Sequence, residues 1–205
     1  MHPSRLIAAL ATTVVIGGAG FATISASAAP SRPASHQTRS VALAKLINGS
    51  GASVGRVRFT QWGDGPVTAV ADVALPADSP EFHGFHLHAN ADNVGCLAGT
   101  GFTGVGGHWD IGGHQHGGHT GDLPSLQRQS NGTVEITFRV DKFEVADLIG
   151  KAVIVHAGPD NFANVPLGTA ANQYTDNGTA FFGTGGTAAT GNAGARFACG
   201  VVAPQ

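Results

Sequence analysis

Histidine is concentrated in one part of this sequence, in a pattern that could bind metal ions. Most of the ten histidines lie between His83 and His156. His86 and His88 are two residues apart in an apolar segment, and residues at this spacing share one face of a strand, so both imidazoles could contact one ion. His156 ends a second apolar run, at 152–155. Taken alone, each pattern is also typical of surface or hydrogen-bonded core histidines.

A second group of possible ligands lies in a long glycine-rich segment, roughly residues 90–125. The group consists of His108, His114, His116, His119 and Asp122. Imidazole and carboxylate groups at separations of two to eight residues suit a borderline divalent ion such as zinc. A flexible histidine-rich loop that binds metal adventitiously would have the same composition. The strand histidines and the loop cluster in one short domain together favour a built metal site.

The elements that must position these side chains are predicted to be strands. Alternating apolar residues predict strands at 40–48, 54–62, 67–75, 84–89, 133–140, 152–156 and 195–202, with one short helical turn at 144–149. Such a series predicts an all-β sandwich or barrel. Two long loops interrupt the spacing, at about 90–125 and 158–194, and we expect the first to be functional because it carries the histidines.

Composition excludes several classes of protein. Eleven basic and 13 acidic residues give a net charge of −2, so there is no strong positive field for nucleic acid. The 31 glycines lack a triplet period, which excludes collagen. Two cysteines are too few for a disulfide-dense miniprotein or an all-cysteine metal site.

The first 28 residues are predicted to be a secretory signal peptide. One arginine, Arg5, precedes an uncharged apolar run that ends in Ala26-Ser27-Ala28. A membrane anchor is the alternative, since the run is long enough to span a bilayer. Residues 29–39 are polar and proline-bearing and are predicted to be a disordered leader. We therefore expect a secreted or cell-envelope protein, without a membrane contact after cleavage.

Export would place both cysteines, Cys96 and Cys199, in an oxidising compartment where disulfides persist. A bridge between them would close a loop of about 100 residues, which the chain-entropy model rates at about 4–5 kcal/mol. Two free buried thiols or an intermolecular bridge remain the alternatives.

Four segments occur in an order that points to a known family: GFHLH at 84–88, GGHW at 106–109 followed by HGGHTGDL at 116–123, VHAGPDN at 155–161, and GNAGARFACGVV at 191–202. Over residues 40–205 the chain resembles the exported bacterial copper/zinc superoxide dismutases. The resemblance implies a Greek-key β-barrel or sandwich of about eight antiparallel strands. It also implies dismutation of superoxide to dioxygen and hydrogen peroxide, through one-electron cycling of copper.

The resemblance assigns a role to each matching residue. It implies the copper ligands His86, His88, His108 and His156. It implies the zinc ligands His108, His116, His119 and Asp122, so that His108 bridges the two metals and can supply a proton. Asp160 matches a carboxylate that links the two sites through ligand imidazoles, and Arg196 matches an arginine that docks the anionic substrate. Cys96 and Cys199 match the family's disulfide, and His83 matches a structural histidine.

Two features depart from the family's pattern. Only Gly117 and Gly118 separate His116 from His119, which puts zinc occupancy in question and makes His114 a substitute candidate for His116. The segment after Asp160 has no lysine to guide superoxide, which leaves that task mainly to Arg196.

An exported copper-binding or buffering module with little turnover is therefore the alternative function, and a structural domain with adventitious metal contacts is a weaker alternative. Both a monomer and a homodimer remain open.

Overall fold

The structure is a computed structural model that describes residues 38–162 and 189–205, and these residues contain nine β-strands. In chain order the strands are β1 (Arg39–Asn48), β2 (Ser53–Trp62), β3 (Val67–Ala74), β4 (Phe82–His83), β5 (Phe85–His88), β6 (Leu126–Gln127), β7 (Thr133–Val140), β8 (Ala152–His156) and β9 (Arg196–Pro204). Two short 3-10 helices are also present, Thr103–Val105 and Val145–Leu148. The prediction of an all-β fold is confirmed.

Seven strands form one curled antiparallel sheet in the order β5-β8-β9-β1-β2-β3-β7, and β4 pairs with β6 in a second, two-stranded sheet. β1, β2 and β3 are consecutive neighbours. The chain then crosses to the opposite edge to form β5, returns to place β7 beside β3, and crosses again to place β8 beside β5. These crossings are of the Greek-key kind. They bring the two histidine-bearing strands, β5 and β8, side by side.

The main core lies on the concave face of this sheet. Alternate residues of β2 and β3 are buried because successive side chains of a strand point to opposite faces. Val57, Phe59, Ala69 and Val73 are at most 1% exposed, whereas their immediate neighbours in the strands are half-buried or exposed. Phe85 of β5 belongs to the same core. The histidines of β5 therefore occupy the opposite, outer face of the sheet.

A smaller apolar cluster covers that outer face. It joins Phe102 and Val105, from the long loop after β5, to Ala152, Ile154 and Cys199 of β8 and β9. The predicted disulfide is present between Cys96 and Cys199, with Cα atoms 5.5 Å apart. The loop is thus fixed to the sheet both by packing and by a covalent bond.

The predicted strands are all observed, with ends that differ by at most two residues. The prediction omitted β4 and β6, which are only two residues long and too short to show a period. β1 begins at Arg39, the last residue of the predicted leader. The signal peptide, most of the leader and residues 163–188 of the second long loop lie outside the described residues. None of the helices in the described part is long and apolar enough to cross a membrane.

The disulfide generates the first prediction. Replacing either cysteine, or both, with serine should lower the free energy of unfolding by about 4–5 kcal/mol, because the bridge closes a loop of about 100 residues in the unfolded chain. Urea unfolding of the metal-free protein measures this difference. The two single variants and the double variant should agree, since all three lose the same bond. A loss below 1 kcal/mol in all three would contradict the prediction.

Candidate metal centre

The outer edge of β5 is paired with the long loop rather than with another strand. Leu87 donates its backbone N–H to the Gly121 carbonyl at 2.8 Å and accepts from the Trp109 N–H at 2.7 Å. Two residues earlier in β5, the Phe85 carbonyl accepts a hydrogen bond from the Leu123 N–H at 3.2 Å. Two separate parts of the loop therefore continue the sheet beyond β5.

This pairing places the possible ligands on one face. His86 is bridged to Asp122, and His88 to His108, each in antiparallel register. Directly paired residues project to the same side of a sheet, and His86 and His88 share a face by their spacing. Ligands from a strand and from a distant loop are thus brought together by backbone hydrogen bonds.

Four histidines form a first group on this face. One ring nitrogen from each of His86, His88, His108 and His156 belongs to a set whose members all lie within 4.8 Å of one another. Nδ1 of His86 and Nε2 of the other three are buried and have no hydrogen-bond partner in the described residues. Buried polar atoms normally have partners. Four converging exceptions indicate a place built for a metal ion.

The opposite nitrogen of each ring has an acceptor. His86 Nε2 donates to Asp160 at 2.6 Å, and His108 Nδ1 donates to Asp122 at 2.9 Å. His88 Nδ1 donates to the Gly106 carbonyl at 2.9 Å, and His156 Nδ1 to the Gly194 carbonyl at 3.0 Å. Such outer contacts fix the tautomer and orientation of metal-binding imidazoles. The converging nitrogens therefore present lone pairs.

Burial keeps these imidazoles neutral. It lowers the pKa of His86 and His88 well below the ordinary value, with a further lowering from neighbouring His108. Burial also lowers the pKa of His156 to about 3, despite its bond to the Gly194 carbonyl. Because the neutral ring is the form that binds metal, these three residues need lose no proton to bind an ion at neutral pH.

A second group lies beside the first and shares His108. It consists of Nδ1 of His108, His116 and His119 and Oδ1 of Asp122. Five of the six distances between these atoms are 2.9, 3.3, 3.3, 3.3 and 3.4 Å. A tetrahedron with metal–ligand bonds of about 2.0–2.1 Å has edges of about 3.3–3.4 Å. The donor set therefore fits a tetrahedral zinc ion.

His116 is held between two carboxylates. Its Nε2 lies 2.7 Å from Asp160 Oδ1, and its Nδ1 lies 3.3 Å from Asp122 Oδ1. Burial favours the neutral ring, but the hydrogen bonds to the two carboxylates outweigh burial and raise the pKa of His116 to about 9. Burial likewise favours a protonated Asp122, but bonds from His108 and His116 lower the pKa of that carboxyl well below its usual range. The second group is therefore charged where the first is neutral.

The short link between His116 and His119 does not keep these side chains apart. Asp122 Oδ2 accepts the backbone N–H groups of Gly117 at 2.7 Å and His119 at 3.0 Å, which folds the link into a tight turn around the carboxylate. Gly117 has a φ of +88°, a conformation that favours glycine. Two residues are therefore enough to place both imidazoles beside Asp122 Oδ1.

His114 does not join either group. Its side chain is 58% exposed, and its Nδ1 lies 3.0 Å from Asp110 Oδ1. The Asp110 carboxylate also accepts the backbone N–H groups of His114 and Thr120 and so closes the tip of the loop. The turn thus directs His114, the substitute candidate for His116, to the surface, whereas His116 lies within the second group.

Arg196 lies at the edge of the first group. Its guanidinium donates to the carbonyls of Phe102 and Gly106, and the Gly106 carbonyl is also the acceptor of His88 Nδ1. Arg196 pairs with His156 in the β8–β9 register. Burial lowers the pKa of Arg196 to about 10, which leaves it charged at neutral pH.

The sequence does not reveal which backbone groups orient these side chains. The carbonyls of Phe102, Gly106 and Gly194 carry no side-chain signal of their role. Gly191 carries a weak sequence signal, because it belongs to a glycine-rich motif. A Cβ atom there would lie 2.1 Å from Asp160 Oδ1 and 2.2 Å from His116 Nε2, so only glycine admits that hydrogen bond.

His83, expected to be structural, lies outside both groups. It is 1% exposed, and its Nδ1 lies 2.8 Å from the His156 carbonyl. The ring joins the segment before β5 to the end of β8 and so positions the His156 backbone.

Comparison with known proteins agrees with this geometry. The family model for copper/zinc superoxide dismutases matches residues 53–202. The chain belongs to this family. The copper/zinc superoxide dismutases are named for both metals, and the two donor sets of this member fit copper and zinc respectively.

One curated relative is a "Superoxide dismutase [Cu-Zn]" from Mycolicibacterium paratuberculosis, which is 39% identical over 137 residues. The match covers 60% of this chain and 57% of that protein. A crystal structure of a double mutant of a SOD-like protein from Bacillus subtilis has the same fold, with a TM-score of 0.57 and 23% identity. That match covers 77% of this chain and 94% of the other.

The charge on His116 predicts a pH-dependent affinity for zinc. Below about pH 9 the imidazolium must lose a proton before Nδ1 can bind, so the zinc affinity of the metal-free dismutase-family chain should rise about tenfold per pH unit from about pH 7 to about pH 8.5. Copper affinity should not gain a similar pH dependence from His86, His88 and His156, because these three imidazoles are already neutral. Competition with metal chelators at several pH values measures both.

The matched control for this prediction is His114→Ala, in the same loop but outside the donor set. It should keep the zinc affinity and its slope, whereas His116→Ala should lose tight zinc binding. A zinc affinity that stays level across this pH range would contradict the assignment of a charged His116.

Proposed function

We propose that this protein is a superoxide dismutase that binds copper through His86, His88, His108 and His156. Zinc is held by His108, His116, His119 and Asp122. The substrate is superoxide, and the products are dioxygen and hydrogen peroxide.

The observation that carries the proposal is the sharing of His108 by two complementary donor sets. Its Nε2 is one of the four buried ring nitrogens that have no partner among the described residues, and its Nδ1 is one corner of the near-tetrahedral set. Copper accepts an all-imidazole set in both of its oxidation states, whereas zinc accepts mixed nitrogen and oxygen ligands. A single imidazole between the two sets supports a two-metal centre more strongly than either group alone.

Copper held by the first group would supply one-electron redox chemistry, and zinc held by the second group would supply positive charge beside His108. The protein's own part is to deliver the anion and a proton. His108 can take up a proton at Nε2 while Nδ1 keeps its place in the second group, and so can hand that proton to the reduced substrate. Asp160 keeps His86 and His116 in fixed orientations through two hydrogen bonds, at 2.6 and 2.7 Å.

Arg196 is proposed to dock superoxide. Its guanidinium is fixed by two backbone carbonyls, and it lies beside the first group through its pairing with His156. One such charge attracts a monovalent anion at contact distance by about 1–4 kcal/mol, depending on the effective dielectric constant. The net charge of the chain is −2, so a local attraction is needed to offset the overall repulsion.

Export to the cell exterior or envelope is proposed as well. The disulfide supports it, because such bonds persist in oxidising compartments. The apolar run that ends near residue 28 is the segment proposed to direct export and to be removed. Sequencing the N-terminus of the protein recovered from the source cells tests this part of the proposal.

Turnover measurements on copper-loaded protein test the proposed activity. A dismutase removes many equivalents of superoxide per copper ion, whereas a copper-buffering module removes about one equivalent and then stops. His156→Ala should lose both the bound Cu(II) signal in electron paramagnetic resonance and the turnover, because it lacks a direct ligand. Copper-loaded wild-type protein without turnover would refute the activity while leaving the metal site in place.

Arg196 generates a prediction about rate. Arg196→Ala should lower the rate of superoxide removal by roughly tenfold or more, since each tenfold corresponds to about 1.4 kcal/mol of lost attraction. Copper content should not change. Lysine at this position should restore part of the rate, because it returns the charge without the planar guanidinium.

The matched control is Arg139→Ala, which removes an equal charge from an exposed position in β7. It should leave the rate within about twofold of wild type, because a distant exposed charge is screened by salt. The rate of Arg196→Ala should also depend less on added salt. Equal rates and equal salt dependence in wild type and Arg196→Ala would mean that another cation guides the substrate.

A further inference from the structure

Phe162 lies against the zinc group without being one of its ligands. The Phe162 ring is nearly parallel to the His116 ring, with an interplanar angle of 18° and centroids 6.3 Å apart. This is an offset stack, within the usual range of about 4.5–7 Å for such pairs. His116 itself is 3% exposed, whereas Phe162 is 50% exposed. One face of Phe162 thus covers a ligand of the zinc group.

The backbone of Phe162 is equally close to the turn that carries this ligand. A Cβ atom on Gly117 would lie 2.5 Å from the Phe162 carbonyl oxygen. The glycine therefore allows two segments, 116–118 and 160–162, to pack backbone against backbone. Any larger residue at 117 would force them apart.

Residues 160–162 are also anchored on their other side. The Asn161 N–H donates to the Gly191 carbonyl at 2.7 Å, and Asp160 binds both His86 and His116. The segment therefore contacts His116 in two ways, at its Nε2 edge through Asp160 and across its face through Phe162.

The short link makes such a contact important. His116 is joined to His119 by two glycines, and hydrogen bonds to Asp122 hold the backbone of this turn. These bonds fix the backbone of the link but do not by themselves fix the rotation of the His116 ring. Release of a bound ion requires the His116 ring to turn away from the group. The stack and the Asp160 bond both oppose this movement, and the stack also keeps water off the ring.

We propose that Phe162 is a positioning residue that slows release of zinc by covering His116. The inference rests on the proposed assignment of zinc to His108, His116, His119 and Asp122. It adds a residue outside that set, and it concerns retention of zinc rather than the reaction with superoxide.

The test is the rate of zinc transfer from the fully metallated protein to an excess of a colorimetric chelator. Phe162→Ala should release zinc about tenfold faster than wild type, the lower end of the range for residues that orient metal ligands. Copper release should not change, because none of the four proposed copper ligands stacks on Phe162. Phe162→Tyr keeps the ring and should release zinc at the wild-type rate.

Ile111→Ala is the matched control, since Ile111 is an apolar side chain in the loop that carries His116 and is 69% exposed. It should not alter zinc release. The melting temperature of metal-free Phe162→Ala should equal that of the metal-free wild type, because Phe162 is already 50% exposed. A zinc-release effect without a change in that temperature separates positioning from general stability.

Each contrary result overturns the inference. Equal release from Phe162→Ala and wild type would show that the ring does not retain zinc. Equal acceleration by Ile111→Ala, or a lowered melting temperature of the metal-free Phe162→Ala protein, would show a general loosening of the loop. A wild-type protein that takes up no zinc would remove the zinc assignment as well, whereas the first result would leave that assignment intact.

Discussion

Backbone pairing along the free edge of β5 is the constraint on which the metal centre depends. β5 has only four residues, and its second edge is satisfied by Trp109, Gly121 and Leu123 of the loop instead of by another strand. The pairing satisfies buried backbone groups that would otherwise be costly. It also sets the register in which His86 meets Asp122 and His88 meets His108. A slip of one residue would turn the ligands toward the apolar core.

Burial of so many imidazoles makes the orienting acceptors necessary. A neutral imidazole has one donor and one acceptor nitrogen, and in the first group every donor has an oxygen partner. The acceptor nitrogens remain without a partner within the described residues. An unsatisfied buried polar atom costs about 1–3 kcal/mol. The polypeptide thus keeps a site whose polar groups would be satisfied by a metal ion.

The outer layer of the protein connects this centre to the disulfide. The loop that follows β5 carries Cys96, then Phe102 and Gly106, whose carbonyls hold Arg196, and finally His108. The opposite end of the bridge is Cys199, three residues after Arg196 in β9. The bond therefore holds the loop against the strand that bears the proposed docking charge. Packing of Phe102 and Val105 on β8 supports the same arrangement.

The amino-acid sequence determined the local features of this protein, because they depend on short-range periodicity and composition. Alternation located the seven longer strands, and the histidine spacing on β5 and in the loop marked the ligand-type residues. The presence of only two cysteines left a single intramolecular pairing to consider. The order of four motifs indicated the family to which the chain belongs.

Only the tertiary structure decided which histidines face one another. His114 and His116 are equivalent in spacing, yet one is bound to Asp110 at the surface and the other lies between Asp122 and Asp160. The turn around the Asp122 carboxylate makes this choice, since it folds two glycines into a link that the sequence suggested was too short. The oxygens that orient His88, His156 and Arg196 belong to the backbone. Their role comes from how the loops cross the sheet, because every residue has a carbonyl and residue type cannot show which carbonyls accept these bonds.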